Sequence, residues 1–204
     1  MAWMGMSWIE VLGFVTGAAC VLLAARQNIW NWPIGIANNI FYIIVFLRSG
    51  LYADSGLQVF YIIISIYGWW RWLHAETGGS QQPVTRTRRR IWMVLAVVTP
   101  LAWVGLYQLL HRFTNSTVPM CDSLTTALSL TAQYMMGRKL IENWIVWIVA
   151  DVIYIGLYIY KTLYLTSALY AIFIAMCVIG YRGWRASLGQ PSPGRQELAP
   201  LRES

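Results

Sequence analysis

Residues 31–72 read NWPIGIANNIFYIIVFLRSGLYADSGLQVFYIIISIYGWWRW, and residues 143–184 read NWIVWIVADVIYIGLYIYKTLYLTSALYAIFIAMCVIGYRGW. Laid over one another at an offset of 112, without a gap, they share 12 identities in 42 positions. Asn31-Trp32/Asn143-Trp144, Tyr42/Tyr154, Leu51-Tyr52/Leu163-Tyr164, Gly68/Gly180 and Trp72/Trp184 are among them, and Arg26/Arg138 extends the match upstream. An apolar unit repeated at a fixed spacing points to a duplicated membrane fold, and such units meet around a substrate site. The echo therefore decides the architecture and says where the site lies.

Composition agrees. Of 204 residues, 58% are hydrophobic and 11% charged, against roughly 45–50% and about 25% in soluble domains. Twelve Trp and twelve Tyr suit interfacial belts or an aromatic-lined cavity. The net charge of +7 resides at segment ends, where it sets topology, so no nucleic-acid partner is expected. Cys20, Cys121 and Cys177 form no ligand or disulfide pattern, and His74 and His111 fall at helix ends.

A bilayer-spanning helix takes roughly 17–25 mostly apolar residues. That ruler predicts spans at 8–25, 29–47, 57–73, 91–110, 123–136, 143–160 and 166–181. The fifth is short and rich in Ser and Thr, but it aligns with the first at the same offset. The expected fold is all-α and integral to the membrane, with seven helices arranged 3+1+3. Two parallel three-helix repeats, residues 8–74 and 122–185, flank a linker helix at 91–110. Residues 75–90 read as a basic cytoplasmic loop, and 186–204 as a disordered cytoplasmic tail. Seven spans put 12 of the 15 Lys and Arg on one side, which places the N-terminus outside and the C-terminus in the cytoplasm. The N-terminus carries no basic n-region, so no cleaved signal peptide is expected.

Polar side chains inside a membrane are costly and face a cavity or another helix. In the sixth span Trp144, Trp147, Asp151, Tyr154 and Tyr158 share one face at a 3-4-3-4 spacing. The second span answers with Trp32, Gly35, Asn39, Tyr42 and Phe46, with Asn38 alongside. Gln58, Tyr61, Ser65, Gly68 and Trp72 form the stripe of the third, and Tyr170, Phe173, Cys177, Gly180 and Trp184 that of the seventh. Asp151 stands out, because an ionised carboxylate in hydrocarbon needs water, a partner or a ligand. Its alternative role is an interhelical hydrogen bond. Trp144, near its helix start, either anchors at the interface or faces the cavity. Gly13, Gly17 and Gly35 are expected to allow close helix approach.

Absences narrow the chemistry further. No Lys or Arg falls within the body of a predicted span, so nothing there would grip a phosphate. Trp and Tyr faces with Asn, Gln and Asp suit a flat, hydroxylated and preferably cationic ligand. No Walker motif, nucleophile elbow or metal box appears, and no cofactor is expected. A membrane-embedded enzyme would want clustered carboxylates or a base–nucleophile pair, whereas Asp151 is solitary. A non-transporting scaffold would bind no small molecule.

Over residues 8–185 the chain resembles the PnuC family of bacterial nicotinamide riboside transporters. The matching stretches are Ser7-Trp8-Ile9-Glu10, Leu51-Tyr52-Ala53, Leu57-Gln58-Val59-Phe60, Ile66-Tyr67-Gly68-Trp69 and Asp122-Ser123. The most specific is Arg138-Lys139 followed by Glu142-Asn143-Trp144-Ile145-Val146-Trp147. The resemblance implies a SWEET-like fold in the bacterial inner membrane and facilitated uptake of nicotinamide riboside, trapped by cytoplasmic phosphorylation. It also implies a homo-oligomer, a trimer with one pore per protomer. Trp144 and Trp147 become the WxxW pair of the site, with Asn143, Asp151 and Tyr154 on the same face. Trp147 and Tyr154 would stack on the pyridinium ring, and Asn39, Gln58 and Asp151 would bond the ribose. Asn38, Tyr42, Tyr61 and Tyr170 complete the expected substrate-binding set. Some relatives carry Asn where this chain has Asp151. Relatives for thiamine, riboflavin and deoxynucleosides share the scaffold, so those cargoes are the alternatives.

Overall fold

Every predicted span is a helix in the computed structural model, which describes residues 8–48, 52–77, 82–113, 118–160, 162 and 164–188. In chain order these are α1 Trp8–Ala25, α2 Asn31–Arg48, α3 Tyr52–Thr77, α4 Arg89–Phe113, α5 Pro119–Gly137, α6 Asn143–Tyr160 and α7 Tyr164–Ala186. Of the tail expected at 186–204, Ala186 ends α7 and residues 189–204 lie outside the described residues.

Six of the helices close a ring. α1 packs on α2, α2 on α3, α3 on α5, α5 on α6, α6 on α7, and α7 returns to α1. α4 stands outside the ring against α5 and barely touches α3. α1–α3 and α5–α7 each run sequentially around half of the ring.

The duplication is visible atom by atom. Trp32 and Trp72 meet edge to face at 5.5 Å and 87°, and Trp144 and Trp184 do so with the same two values. Trp32 lies against Gly68 and Trp144 against Gly180, each where a Cβ would collide with the indole. These glycines are seats. Removing the Cβ lets a tryptophan approach the backbone of a neighbouring helix, and in a membrane such close packing supplies much of the association energy. Gln27 and Lys139, also 112 apart, both take left-handed backbone conformations, with φ of 54° and 49°. Each ends the turn after the first helix of its triplet.

The weak fifth span now has a physical reason. α5 is flanked by α3, α4 and α6, and nine of its residues are buried, including Ser123, Thr125, Thr126 and Ser129. It faces protein rather than lipid, so it need not be apolar. Its hydroxyls bond the preceding turn, as Thr125 Oγ1 donates to the Cys121 carbonyl at 3.0 Å and Thr126 Oγ1 to that of Asp122 at 2.7 Å. α4 is the opposite case. Trp92, Met93, Val97, Val98, Leu101 and Val104 on it are exposed, a surface that only hydrocarbon or another apolar partner solvates. α4, α6 and residues Thr166–Ala186 of α7 are long and apolar enough to cross a membrane. The ring helices that fall short of that measure among the described residues include α2, α3 and α5.

The expected basic loop is shorter and more ordered than composition suggests. α3 continues to Thr77 and α4 begins at Arg89, while the described part of the loop docks on the ring. Thr85 forms an isolated parallel bridge with Leu140.

Candidate functional site

Within the ring lies a cavity of about 330 Å³, near the lower end of the roughly 300–1,000 Å³ of small-molecule pockets. α6 contributes Trp144, Trp147, Asp151 and Tyr154, α7 Tyr170, Phe173 and Cys177, and α3 Tyr61. α1 adds Gly17, Cys20, Val21 and Ala24, α2 adds Asn31 and Gly35, and α5 adds Ser129, Gln133 and Met136. Five pairs in this lining obey the 112-residue offset: Gly17/Ser129, Val21/Gln133, Ala24/Met136, Gly35/Trp147 and Tyr61/Phe173. The remaining wall comes mostly from the second repeat, so the cavity sits off the pseudo-twofold toward α6 and α7.

Its floor is indole. Trp32, Trp72, Trp144 and Trp184 are each at most 2% exposed, and Trp72 and Trp184 join the two pairs across the repeats at 6.4 Å. Trp184 Nε1 donates to the Ala24 carbonyl at 3.0 Å, tying α7 to α1. Opposite the floor, Tyr154 and Tyr170 approach at 4.8 Å, Tyr158 and Tyr170 at 5.2 Å, and Phe173 stands edge-on to Tyr170 at 5.8 Å.

Asp151 is 6% exposed, and the Cys177 thiol donates to its Oδ2 at 3.9 Å. A thiol is a weak donor and neutralises nothing. Among the described residues no Lys or Arg lines the cavity and Asp151 is its one carboxylate, so a solute cation is the natural counter-charge. On the far wall Gln133 Nε2 donates to Ser65 Oγ at 3.2 Å, and the Tyr61 hydroxyl hydrogen-bonds Ser129. Three buried donors on lining residues, Asn31 Nδ2, Trp144 Nε1 and Trp147 Nε1, have no acceptor among the described residues. Buried donors of this kind match acceptors on a ligand.

Of the residues expected at the site, Trp144, Trp147, Asp151, Tyr154, Tyr61 and Tyr170 line the cavity. Asn143, Asn38, Asn39, Tyr42 and Gln58 are not among its walls. Asn143 is fully buried below the floor, where its Nδ2 donates to the Leu140 carbonyl at 2.6 Å and shapes the α5–α6 turn. Tyr42 packs within its own triplet, against Gly13 and stacked on Phe46 at 5.7 Å. Its counterpart Tyr154 cannot do the same, because Thr125 replaces Gly13 and instead hydrogen-bonds the Tyr154 hydroxyl. Asn38 and Asn39 are half-buried on α2, and Gln58 is half-buried on α3. Trp144 is 0% exposed, so it is cavity floor and not an interfacial anchor.

Asn31, Cys20, Ser129, Gln133, Phe173 and Cys177 also belong to the lining. Ser129 and Gln133 were legible in principle, since the offset of 112 carries α1 onto α5 as surely as α2 onto α6. The polarity of that span was the second signal.

A ring of membrane helices closed around an aromatic, solute-sized cavity defines a multi-pass membrane protein built to hold a small molecule. A family model for nicotinamide mononucleotide transporters matches residues 7–186, and the chain belongs to that family. Its sequence is 27% identical to the nicotinamide riboside transporter PnuC of Escherichia coli (strain K12), over 88% of this chain and 85% of that protein. It is 22% identical to the riboflavin/roseoflavin transporter RibM of Streptomyces davaonensis, over 87% and 84%. The crystal structure of the vitamin B3 transporter PnuC superposes with a TM-score of 0.70 at 22% identity, covering 91% of this chain and 84% of that one. The fold is therefore that of PnuC. The protein is a transporter and not an enzyme.

Proposed function

We propose that this transporter carries nicotinamide riboside by facilitated diffusion. The observation that carries this reading is the cavity's lining: among the described residues it holds aromatic rings, one carboxylate and no cation. A nucleotide phosphate would bring about two negative charges into a site with no basic group and with Asp151 already there, a like-charge contact in low dielectric. The riboside lacks that phosphate and keeps the pyridinium charge, which Asp151 and the indole and phenol faces favour. Trp147 and Tyr154 flank the ring above the Trp144 floor. The ribose hydroxyls fall to Tyr61, Ser129, Gln133 and Asn31, since Asn39 and Gln58 lie outside the cavity.

Riboflavin is the second reading, supported by the likeness to RibM. Its ring system is uncharged, which leaves Asp151 without a counter-charge, so the riboside is preferred. The tryptophan end carries the basic termini of α1, α3, α5 and α7 and faces the cytoplasm of a bacterial inner membrane, by the positive-inside rule. Phosphorylation there traps the product. A homotrimer with one pore per protomer completes the reading, on the resemblance to PnuC.

Purified protein in liposomes, offered labelled nicotinamide riboside against unlabelled competitors, tests the substrate. Nicotinamide riboside is expected to compete best, with thiamine, riboflavin and nicotinamide mononucleotide at least tenfold weaker. Equal competition by the mononucleotide would overturn the charge argument.

A further inference from the structure

Composition marks the segment before α4 as a solvated basic loop, yet residues 82–88 are docked beneath the cavity. Val84 is 3% exposed and belongs to the cluster of Trp32, Trp72, Trp144, Met136 and Ala24. Ala24, Met136 and Trp144 of that cluster also line the cavity. Val84 thus shares one packed cluster with residues of the cavity wall.

Few bonds keep it there. Thr85 N donates to the Lys139 carbonyl and Ile141 N to the Thr85 carbonyl, both at 3.0 Å. The Glu142 carboxylate takes the rest, accepting from Thr87 N at 2.8 Å and Thr87 Oγ1 at 2.6 Å through one oxygen. Arg86 and Arg88 point outward and are exposed. Glu142 thus holds a neutral threonine in preference to the neighbouring arginines. The corresponding turn of the first repeat, at Gln27–Ile29, carries no such bridge among the described residues, Gln27 Nε2 donating instead to Ser187 Oγ at 3.1 Å, and the position equivalent to Glu142 is exposed Trp30.

We propose that residues 82–88 form a strap that plugs the tryptophan end of the transport pathway, with Glu142 as its latch. Two backbone bonds and one carboxylate make a locally weak unit that can open while the helices stay folded. The strap continues into α4, which lies outside the ring, so it can lift without unwinding a ring helix. Its bridge falls on the turn whose Lys139 reaches across to Gln27 at 3.1 Å. Lifting the strap and parting the repeats at this end therefore both load Lys139. Only the side of the membrane to which the strap opens rests on the functional reading above.

The test uses cavity thiols already present and needs no substrate. Cys20 and Cys177 line the cavity, and a membrane-impermeant maleimide added from the strap side reports whether that end is open, with labelling at each cysteine resolved by mass spectrometry. Glu142→Ala is expected to raise the labelling rate about tenfold, in line with losing charge-assisted bonds. Glu142→Gln, which still accepts through its amide oxygen, should restore most of the protection. Conversely, an oxidised Thr85→Cys/Leu140→Cys pair should label more slowly than its reduced form, a comparison that stands even where Glu142→Ala does not fold. Hydrogen exchange at residues 84–87 confirms that the strap has been released. A released strap with unchanged labelling of Cys20 and Cys177 overturns the proposal, as does an oxidised pair that labels at the reduced rate. Failure of riboside uptake would leave these outcomes intact and fall on the substrate reading alone.

Discussion

Lys139 donates from its Nζ to Gln27 Oε1 at 3.1 Å, although the two residues are counterparts in the duplication. The pseudo-twofold thus passes between them, and divergence has turned a symmetric pair into a donor and an acceptor. Lys139 is 3% exposed, and its ammonium lies 4.5 Å from the centre of the Trp72 ring. A buried ammonium without such partners would be strongly destabilising.

That contact predicts a coupling. Lys139→Met and Gln27→Leu should each lower the melting temperature in detergent, and the double mutant should lose less than the sum. A coupling free energy of about 1 kcal/mol is expected for a charge-assisted bond. Strict additivity would mean that the pair does not hold the repeats together.

The two tryptophan seats should respond differently. Gly68→Ala and Gly180→Ala both push a Cβ into an indole, and overpacking of this kind costs roughly 1–3 kcal/mol. Only Gly180 supports Trp144, which lines the cavity. Calorimetric titration should show weaker riboside binding for Gly180→Ala and nearly native binding for Gly68→Ala, at similar losses of stability.

Stacking and charge separate by substitution. Trp147→Ala should reduce riboside uptake about tenfold or more, with Trp147→Phe in between, since a desolvated cation–π contact contributes about 2 kcal/mol. Asp151→Asn should weaken binding of the cationic riboside about tenfold while leaving an uncharged nucleoside's affinity nearly unaltered. Equal losses for both ligands would show that Asp151 serves only as a hydrogen-bonding group.

A last comparison concerns the ribose. Gln133→Ala and Ser129→Ala should raise the dissociation constant about fivefold or more, the order of one hydrogen bond. Asn39→Ala and Gln58→Ala should stay within about twofold of the parent, because neither residue reaches the cavity. The reverse pattern would return the ribose to the first repeat.

The sequence by itself determined the membrane setting, the seven helices and the duplication, since each depends on local composition and on spacing. α1 and α6 run as predicted, from Trp8 to Ala25 and from Asn143 to Tyr160. Stripe periodicity also found the aromatic face of α6, because a helix shows the same side to its partner along its whole length. Tertiary structure decided which striped faces meet in the cavity. Asn39 and Asp151 are equivalent in the repeat, yet only Asp151 lines the cavity. Helical spacing gives a side chain's angle on its own axis, whereas a cavity's position depends on the volumes that neighbouring helices put into the ring. Gly35 opposite Trp147 and Gly13 opposite Thr125 are small differences along the chain. With Gly13, Tyr42 packs inside its own triplet, whereas Thr125 at the equivalent position pairs with Tyr154, which lines the cavity. The strap was equally invisible, because its burial comes from a turn more than fifty residues away.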